Sequence, residues 1–293
     1  MSDVTGIVLE DRGVLTFAGP ETRALLQGLI TNDIGLVTSD RAIYAALLTP
    51  QGKFLHDFLI AQAGETLVFD CEGPRRADLL RRLMMYRLRA KVDIADTTDD
   101  RAVIALIGDG APAKLGLSGD VGAAKPWEGG VCFVDPRLAA LGVRLIVRKD
   151  KVEAALALAD KRGTPADYEA HRLALGVPDG SRDMEVEKLF LLEANAEALH
   201  AVDFDKGCYV GQELTARTKR RANLKWRLYP VAIEGTAQPE SAVMRGDKEI
   251  GRLKSVNAGH GLAYLRIEDA ESGGLLRAGD ADLTLVEPDW MRP

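Results

Sequence analysis

The sequence of residues 203–217 is Asp203-Phe204-Asp205-Lys206-Gly207-Cys208-Tyr209-Val210-Gly211-Gln212-Glu213-Leu214-Thr215-Ala216-Arg217. It is the stretch of the chain that is richest in groups able to do chemistry. Two glycines bracket Cys208 and Tyr209, and because glycine permits positive φ angles this part is predicted to be a tight loop. From Gly211 onward, Glu213 and Arg217 fall at helical spacing, which predicts that a helix begins there.

Cys208 is the first candidate for a functional residue. It lies just before the predicted helix and two residues after Lys206. Unpaired N–H groups at a helix start and a nearby cation both stabilise the thiolate form of cysteine. The alternative is that Cys208 is a small buried apolar residue, as free cysteines commonly are. The charged neighbours favour a functional thiol.

Composition limits the class of protein. The 293 residues are enough for about two domains, and 46% hydrophobic with 28% charged residues is typical of a soluble globular protein. A net charge of -6 disfavours general nucleic-acid binding. Neither a secretory signal nor an apolar run long enough to cross a membrane is predicted. Three widely spaced cysteines fit a reducing cytoplasm and fall short of the four thiolates that usually hold a permanent cluster.

The N-terminal segment is predicted to begin with a hairpin of two strands, 6–9 and 13–17, joined at Asp11-Arg12. A helix opening at Gly19-Pro20-Glu21 is then expected to end at Thr31-Asn32-Asp33. Taken alone, Asn32 and Asp33 are ordinary turn formers.

A second candidate residue lies in the next pair of predicted strands, 42–48 and 54–61. Asp57 shares one strand face with Leu55 and Leu59. Burial among leucines would raise the pKa of this carboxyl group and make it a candidate acid, base or hydrogen-bond partner. The alternative is an edge strand that leaves Asp57 in water.

The remainder of the chain divides into two patterns. Between residues 62 and 162, strands alternate with helices at 75–88, 113–117 and 151–161, the last ending at Gly163, and this pattern predicts an α+β lobe of the split βαβ type. The arginines of 75–89 are interpreted as a solvated helix face, with contact to an anionic ligand as the alternative. From residue 229 onward, short strands separated by close turns predict a small barrel or sandwich.

At this point the chain resembles a known family. Lys206-Gly207-Cys208-Tyr209-x-Gly211-Gln212-Glu213 resembles the signature of the YgfZ-type folate-binding proteins, which act in iron–sulfur cluster assembly and repair and are relatives of the glycine-cleavage-system T protein, an aminomethyltransferase. Further similar segments are 27–33, Tyr44, 52–57, 172–178, 192–195, 251–255 and 262–266. The resemblance covers nearly the whole chain and is weakest between residues 100 and 160.

The resemblance implies an α+β fold of the multi-lobed aminomethyltransferase type. Residues 1–228 would form the folate-binding region, which comprises two lobes, one of them discontinuous, with the ferredoxin-like split βαβ lobe around 62–162. Residues 229–293 would form the C-terminal β-barrel. In the family, three lobes surround a central cleft, and such junctions commonly hold ligands.

The function implied is that of a cytoplasmic tetrahydrofolate-binding protein that supports assembly or repair of iron–sulfur clusters in client enzymes. Its partners would be folate and iron–sulfur client or assembly proteins, without membrane or nucleic acid. Cys208 would be the functional thiol, in transient contact with a cluster and without a permanent metal. The residues expected to carry the folate site are Asn32, Tyr44, Asp57 and Glu193, with Lys206, Tyr209, Gln212, Glu213 and Arg217 from the motif.

A folate-dependent one-carbon transferase is the alternative function. In the transferase relatives two adjacent aspartates occupy the segment that reads His56-Asp57 here, and one of them is catalytic. A glutamate near the Glu193 position helps to hold the pterin there, and a carboxylate suits that task because it accepts two hydrogen bonds. Without the resemblance, Glu193 would be interpreted as a surface residue. In the transferase hypothesis Asp57 is catalytic and Cys208 is incidental.

A basic run gives a third hypothesis. Residues 218–227 contain Lys219, Arg220, Arg221, Lys225 and Arg227 with Trp226. Such a run can bind RNA through its cations and aromatic ring. It is more often a solvated connector, and it could also neutralise the carboxylates of a folate tail.

Overall fold

The computed structural model of the chain describes residues 3–221 and 224–292, with the side chain of Arg221 excluded. Residues 222–223 of the predicted basic run therefore lie outside the described residues, as do residues 1–2 and 293 of the predicted domains. Among the described residues, no helix is long and apolar enough to cross a membrane.

The chain alternates strands with short helices. The strands are β1 Thr5–Val8, β2 Arg12–Ala18, β3 Ile43–Leu48, β4 Phe54–Ala63, β5 Thr66–Glu72, β6 Asp93–Asp96, β7 Arg101–Ile107, β8 Ala124–Trp127, β9 Gly130–Val134, β10 Val143–Arg148, β11 Lys161–Arg162, β12 Trp226–Glu234, β13 Ala242–Arg245, β14 Lys248–Asn257, β15 His260–Arg266, β16 Leu276–Ala278 and β17 Ala281–Leu285. The α-helices are α1 Thr22–Gln27, α2 Arg76–Arg87, α3 Ala111–Leu115, α4 Val152–Leu156, α5 Pro165–Ala174, α6 Gly180–Asp183, α7 Gln212–Arg221 and α8 Ile267–Glu271.

A five-stranded antiparallel sheet has the strand order β3-β4-β5-β2-β6. Strand β4 pairs with β3 on one side and β5 on the other, so it is an interior strand. Its side chains are buried on both faces from Phe54 to Ala61. The edge-strand alternative for Asp57 is therefore wrong.

A six-stranded sheet has the order β11-β1-β7-β10-β9-β8. The N-terminal strand β1 lies second in this order, where it pairs with β11 on one side and β7 on the other. The predicted hairpin of residues 6–9 and 13–17 is consequently wrong. A turn does lie between these strands, where the Arg12 N–H donates to the Leu9 carbonyl at 3.2 Å, but β2 then leaves for the other sheet and pairs with β5 and β6.

Residues 62–162, predicted as one lobe, contribute to both sheets. β5, α2 and β6 belong with the five-stranded sheet, and β7 to β11 with the six-stranded sheet. The predicted helix 151–161 ends at Leu156, before Gly163. Gly163 is therefore not a helix cap, and it instead lies where an added Cβ would meet the side chains of Thr5 and Ile7 at 2.7 and 2.9 Å.

The C-terminal strands form a closed barrel in the order β12-β15-β14-β13-β16-β17. Closure excludes the sandwich alternative. The barrel begins at Trp226, slightly before the predicted residue 229, and includes β16 and α8, which the sequence pattern did not predict.

The barrel is joined to the two sheets through the segment that follows the six-stranded sheet. The Arg172 guanidinium of α5 donates to Ser255 Oγ of β14 at 3.2 Å. The Asn195 amide donates to the Leu228 carbonyl at 2.9 Å, and the Trp290 indole donates to the Leu175 carbonyl at 2.8 Å. One hydrophobic core contains side chains of both sheets together with Leu228 and Leu262 of the barrel.

Candidate functional site

We call residues 203–211, which precede α7, the motif loop. A cleft of about 420 Å³ opens beside this loop, and we call it the Phe204 cleft. It lies where the five-stranded sheet, the six-stranded sheet and the 197–205 segment approach one another. Its lining residues are Asn32, Leu36, Arg41, Ala42, Ile43, Tyr44, Val121, Pro136, Glu197, His200, Val202, Asp203, Phe204, Asp205 and Lys219.

Hydrogen bonds hold the motif loop against the turn after α1. The Asp203 N–H donates to the Thr31 carbonyl at 3.1 Å. The ammonium of Lys206 donates to the carbonyl oxygens of Ile30 at 2.7 Å and Asn32 at 2.8 Å. Burial lowers the pKa of Lys206 to about 8, against the opposing charges of Asp33 and Asp203. Lys206 is thus a buried connector of loop and turn.

Asn32 has a structural role in the wall of the cleft. Its side-chain amide donates to the Tyr44 carbonyl and the His200 carbonyl, each at 2.8 Å, and its Oδ1 accepts the Asp33 N–H at 2.8 Å. The residue is therefore more than an exposed turn former. It fastens β3 to the segment that leads into the motif loop.

Tyr44 separates Asp57 from the cleft. The Tyr44 hydroxyl donates to Asp57 Oδ2 at 2.8 Å, and both side chains are buried. Burial and the nearby Asp179 raise the pKa of Asp57 to about 6, although Arg12, the Tyr44 hydrogen bond and Arg137 oppose this shift. The predicted increase in the Asp57 pKa on burial is thus present, but Tyr44 lines the cleft and Asp57 does not.

Behind Asp57 lies an ion-pair network that sequence reasoning missed. Asp70 of β5 is fully buried between Arg12, at 2.5 Å, and Arg144 of β10, at 2.9 Å. The network also contains Asp135, Arg137 and Asp179. The signal that pointed to Asp57, a charged residue flanked by apolar strand residues, is also present at Asp70 and Arg144.

The network links the two sheets, because Arg12 and Asp70 belong to one and Arg144 to the other. Arg137 and Arg144 both donate to the Tyr168 hydroxyl, the former at 3.1 Å. Buried charges are costly unless they are paired and hydrogen-bonded, and the close pairing seen here offsets that cost where the two sheets meet behind the cleft.

Glu193 lies away from the Phe204 cleft, at the junction with the barrel. Its Oε2 accepts the Phe190 N–H at 2.8 Å and the Tyr264 hydroxyl of β15 at 2.9 Å. Burial raises the pKa of Glu193, and hydrogen bonds from Phe190 and Tyr264 act against this. The alternative that Glu193 is an exposed surface residue is wrong. Its carboxylate contacts Tyr264 of the barrel and does not line the Phe204 cleft.

Cys208 is the exposed cysteine of the three, while Cys71 and Cys132 are buried. The alternative that Cys208 is a buried packing residue is wrong. Burial raises the pKa of Cys71 to about 12 and that of Cys132 to about 11. Helix α7 begins four residues after Cys208, and Lys206 directs its ammonium to backbone carbonyls, so the predicted neighbours of the thiol are used in holding the loop.

The other motif residues are divided between core and surface. Tyr209 is buried, with the Lys206 ammonium 5.1 Å from its ring centre. Gln212 begins α7, and Glu213 forms a 2.9 Å ion pair with Arg217 on an exposed face of the helix. None of these four is among the residues that line the Phe204 cleft.

Two cationic residues line the cleft: Arg41, which sequence reasoning missed, and Lys219, which belongs to the basic run considered as a partner for a folate tail. Lys219 of α7 lies 3.8 Å from the Phe204 ring centre and pairs with Glu197 at 2.8 Å. Arg41 lies on the wall formed before β3 and is exposed. Of the basic run, Lys219 thus faces the cleft, whereas Trp226 stacks on Tyr264 in the barrel with ring centres 5.3 Å apart.

Comparison with known proteins gives the same architecture. Residues 9–118 match the family described as the GCVT N-terminal domain, and residues 225–293 match the CAF17 C-terminal beta-barrel domain. The crystal structure of glycine cleavage system aminomethyltransferase T from Bartonella henselae superimposes with a TM-score of 0.80 at 13% identity, covering 99% of this chain and 87% of that one. The predicted aminomethyltransferase-like fold with a C-terminal barrel is confirmed.

Relatives that match over most of this chain are described as iron-sulfur cluster assembly factor IBA57, mitochondrial. The mouse protein is 30% identical over 308 residues, covering 96% of this chain and 84% of the relative. The human protein is 30% identical over 307 residues with the same coverage. These names place the relatives in mitochondria, and the cytoplasmic location expected from the sequence stays a prediction. The chain belongs to the IBA57 family of iron–sulfur cluster assembly factors, as the resemblance of its motif loop predicted.

Proposed function

We propose that this protein supports assembly or repair of iron–sulfur clusters in client proteins, with Cys208 as the thiol that meets the cluster or a sulfur intermediate. The observation that carries the proposal is the position of Cys208: it is exposed on a loop that Lys206 and Asp203 fasten to the turn after α1. A thiol held outward on a fastened loop can be reached by a partner protein. The printed names of the relatives, which are assembly factors, support this assignment.

One thiolate is too few to hold a cluster alone, since clusters are normally bound by four. Cys71 and Cys132 are buried in different sheets and lie outside the motif loop. We therefore propose that Cys208 supplies one ligand, after loss of its proton, while a partner protein or small thiol supplies the others. In this view the cluster is cargo, and contact with Cys208 is transient.

We further propose that the Phe204 cleft is the site for tetrahydrofolate or a derivative. Its volume of about 420 Å³ lies within the range of roughly 300–1,000 Å³ that is typical of small-molecule pockets. Such a ligand would supply a one-carbon unit, at the oxidation level of an aldehyde or of a methyl group. The residues of the cleft suit the parts of a folate, and of the set predicted from the sequence they include Asn32 and Tyr44.

The fit comes from three kinds of group. Asp203 and Asp205 supply carboxylates, which can accept hydrogen bonds from an aminopyrimidine edge. Phe204 offers a ring for stacking against a planar ligand. Arg41 and Lys219 supply cations for the carboxylates of a glutamyl tail. Asn32 and Tyr44 would shape the wall, while Asp57 and Glu193 would act behind it and at the barrel.

The test is calorimetric titration of the purified protein with tetrahydrofolate. We expect micromolar binding by the wild-type protein, a loss of at least about tenfold in Asp205→Asn and in Arg41→Ser, and no change in Cys208→Ala. Glu193→Gln is the control, because Glu193 lies at the junction with the barrel and away from the Phe204 cleft. Binding lost in Glu193→Gln but retained in Asp205→Asn would remove the Phe204 cleft from the proposal.

The role of Cys208 is tested separately in cells that lack the endogenous protein. Cys208→Ala should fail to restore the activity of a cluster-containing enzyme, although it folds and binds folate normally. Full restoration by Cys208→Ala would contradict the assignment of the thiol. The alternative of a one-carbon transferase predicts transfer to or from tetrahydrofolate that Asp57→Asn abolishes, and its difficulty is that Tyr44 stands between Asp57 and the cleft.

A further inference from the structure

Helix α2 and the residue that follows it carry large apolar side chains on the protein surface. Leu79 and Leu83 face the core and are fully buried. By contrast, Met84, Met85 and Leu88 have exposed fractions of 42%, 57% and 84%. These three residues lie within residues 84–88, and exposed apolar patches commonly mark interaction sites. We call Met84, Met85 and Leu88, with the cations that surround them, the α2 patch.

The α2 patch is strongly basic, although the protein as a whole is acidic. Residues 81–91 contain the cations Arg81, Arg82, Arg87, Arg89 and Lys91 and have no acidic residue, whereas the whole chain carries a net charge of -6. The patch therefore concentrates positive charge around apolar side chains. Such a combination is complementary to a partner surface that is both apolar and acidic.

Some of these cations are held in place and others are available. Asp78 forms ion pairs with Arg81 and with Arg82, the latter at 2.7 Å, and Arg82 also pairs with Glu187 at 3.2 Å. Within residues 3–221 and 224–292, no carboxylate forms an ion pair with Arg87, Arg89 or Lys91. The three unpaired cations lie at the end of α2 that carries Met84, Met85 and Leu88.

We propose that the α2 patch docks an acidic amphipathic helix of a partner protein. Helix α2 has 12 residues and is thus about 18 Å long, and the α2 patch lies at its C-terminal end, where about one to two turns of a partner helix can lie against it. Methionine side chains are flexible and adapt to the shape of an apolar partner, and amphipathic helices are a common ligand for such surfaces. Glutamates flanking the apolar side of the partner would meet Arg87, Arg89 and Lys91.

Two other occupants fit the patch less well. A second copy of this chain would bring one set of unpaired cations against another, and like charges oppose such pairing. Helices that lie on membranes carry a continuous apolar face rich in Leu, Phe and Trp, whereas α2 uses Leu79 and Leu83 for its own core and exposes methionines. Both occupants are outcomes that the experiment below distinguishes.

The inference goes beyond the proposed function, because the α2 patch shares no residue with the Phe204 cleft or the motif loop. The probe is a synthetic fluorescent peptide of about 18 residues that forms a helix, with leucines at i, i+3, i+4 and i+7 and glutamates on both flanks. Two matched peptides carry lysines in place of the glutamates or the same residues in shuffled order. Binding to the intact protein is measured by fluorescence anisotropy at low and high salt.

We expect the glutamate peptide to bind with a dissociation constant of about 10–100 µM, weakened by salt, and the shuffled peptide to bind at least about tenfold more weakly. Met85→Glu/Leu88→Glu should weaken binding of the glutamate peptide by at least about tenfold. Leu275→Glu is the matched control, since Leu275 is an exposed leucine of the barrel domain at 56% and should leave binding unchanged.

A charge exchange keeps the inference testable if the double glutamate variant folds poorly. Arg87→Glu/Arg89→Glu should prefer the lysine peptide, reversing the preference of the wild-type protein. Several results would overturn the proposal: no binding of the glutamate peptide, equal binding by all variants, or no exchange of preference. The same holds if Met85→Glu/Leu88→Glu abolishes sedimentation with anionic phospholipid vesicles or dissociates a dimer of this chain.

Discussion

The Tyr44 hydroxyl donates a 2.8 Å hydrogen bond to Asp57 Oδ2, and through this bond a residue of the cleft wall is joined to a buried carboxyl group. Tyr44 lines the Phe204 cleft, whereas Asp57 lies behind it next to Asp179 and the cations Arg12 and Arg137. Tyr44 thus gives Asp57 a direct hydrogen-bonded connection to the wall of the cleft.

The raised pKa of Asp57 makes stability depend on pH. Its folded pKa is about 6, mainly because of burial, against about 3.9 in an unfolded chain, so between pH 4 and pH 6 the folded protein holds a proton that the unfolded chain has released. The contribution of Asp57 is therefore fully present below pH 4 and is lost as the pH rises to 6. A difference of about two units between the folded and unfolded pKa corresponds to about 3 kcal/mol in the free energy of unfolding.

The comparison that isolates this effect is the wild-type protein against Asp57→Asn, which keeps an oxygen acceptor for Tyr44 but cannot titrate. Free energies of unfolding in urea are measured at several pH values from 4 to 7. We expect the wild-type protein to lose up to about 3 kcal/mol relative to the variant across this range. Parallel pH curves for the two proteins would contradict the assignment.

Asp70 should be among the residues whose replacement is most damaging. Asp70→Asn would leave the buried guanidinium groups of Arg12 and Arg144 without their shared carboxylate, and breaking a buried pair typically costs about 3–5 kcal/mol. The exposed pair of Arg148 and Asp150 provides the control, because Asp150→Asn should change the free energy of unfolding by less than about 1 kcal/mol. Similar losses in both variants would show that the network does not hold the sheets together.

Local sequence patterns predicted where strands lie in the chain better than they predicted which strands pair with each other. The predicted strands 42–48 and 54–61 agree with β3 and β4 to within two residues at each end, since runs of apolar residues mark both. The hairpin of 6–9 and 13–17 was wrong because nothing in the turn at Asp11-Arg12 reveals that β1 finds its partner in β7, about a hundred residues later. Sheet membership depends on packing between distant segments, which a turn does not encode.

The candidate site shows the same division between local and distant information. The exposed motif loop followed from its own residues, and so did the burial of Asp57 as one of two alternatives. The motif could not show that Glu193 bonds to Tyr264, because that contact spans 71 residues and depends on how the barrel docks. Nor could it show that Lys219, part of a basic run, lies over Phe204.

The three cysteines should differ sharply in reactivity. Cys208 is exposed, whereas burial raises the pKa of Cys71 to about 12 and of Cys132 to about 11 and keeps both thiols protonated and shielded. We expect a disulfide reagent such as Ellman's to modify one thiol per native chain rapidly and three after denaturation. In Cys208→Ser the rapid phase should be absent. A rapid phase that persists in this variant would mean that the interior opens readily around another cysteine.

Leu88 occupies a backbone conformation that suits glycine. Helix α2 ends at Arg87, and Leu88 then has φ 44° and ψ -108° while the Ala90 N–H donates to the Arg87 carbonyl at 2.8 Å. This is the geometry of the first central residue of a type II′ turn, where glycine predominates. A non-glycine residue there costs about 1–3 kcal/mol in strain, and the exposed Leu88 side chain gains little packing in return.

Leu88→Gly should therefore raise the free energy of unfolding by about 1 kcal/mol, since relief of strain exceeds the entropic cost of glycine, about 0.5–1 kcal/mol. Leu88→Ala is the control, because it removes the same apolar atoms but keeps the Cβ and hence the strain. Urea unfolding of the three proteins measures both effects. If the α2 patch docks a partner helix, Leu88→Gly should also bind the glutamate peptide more weakly than the wild-type protein does. If leucine lowers the free energy of unfolding but strengthens peptide binding, its presence at position 88 is explained by docking. If Leu88→Gly is no more stable than Leu88→Ala, the backbone at position 88 is not strained.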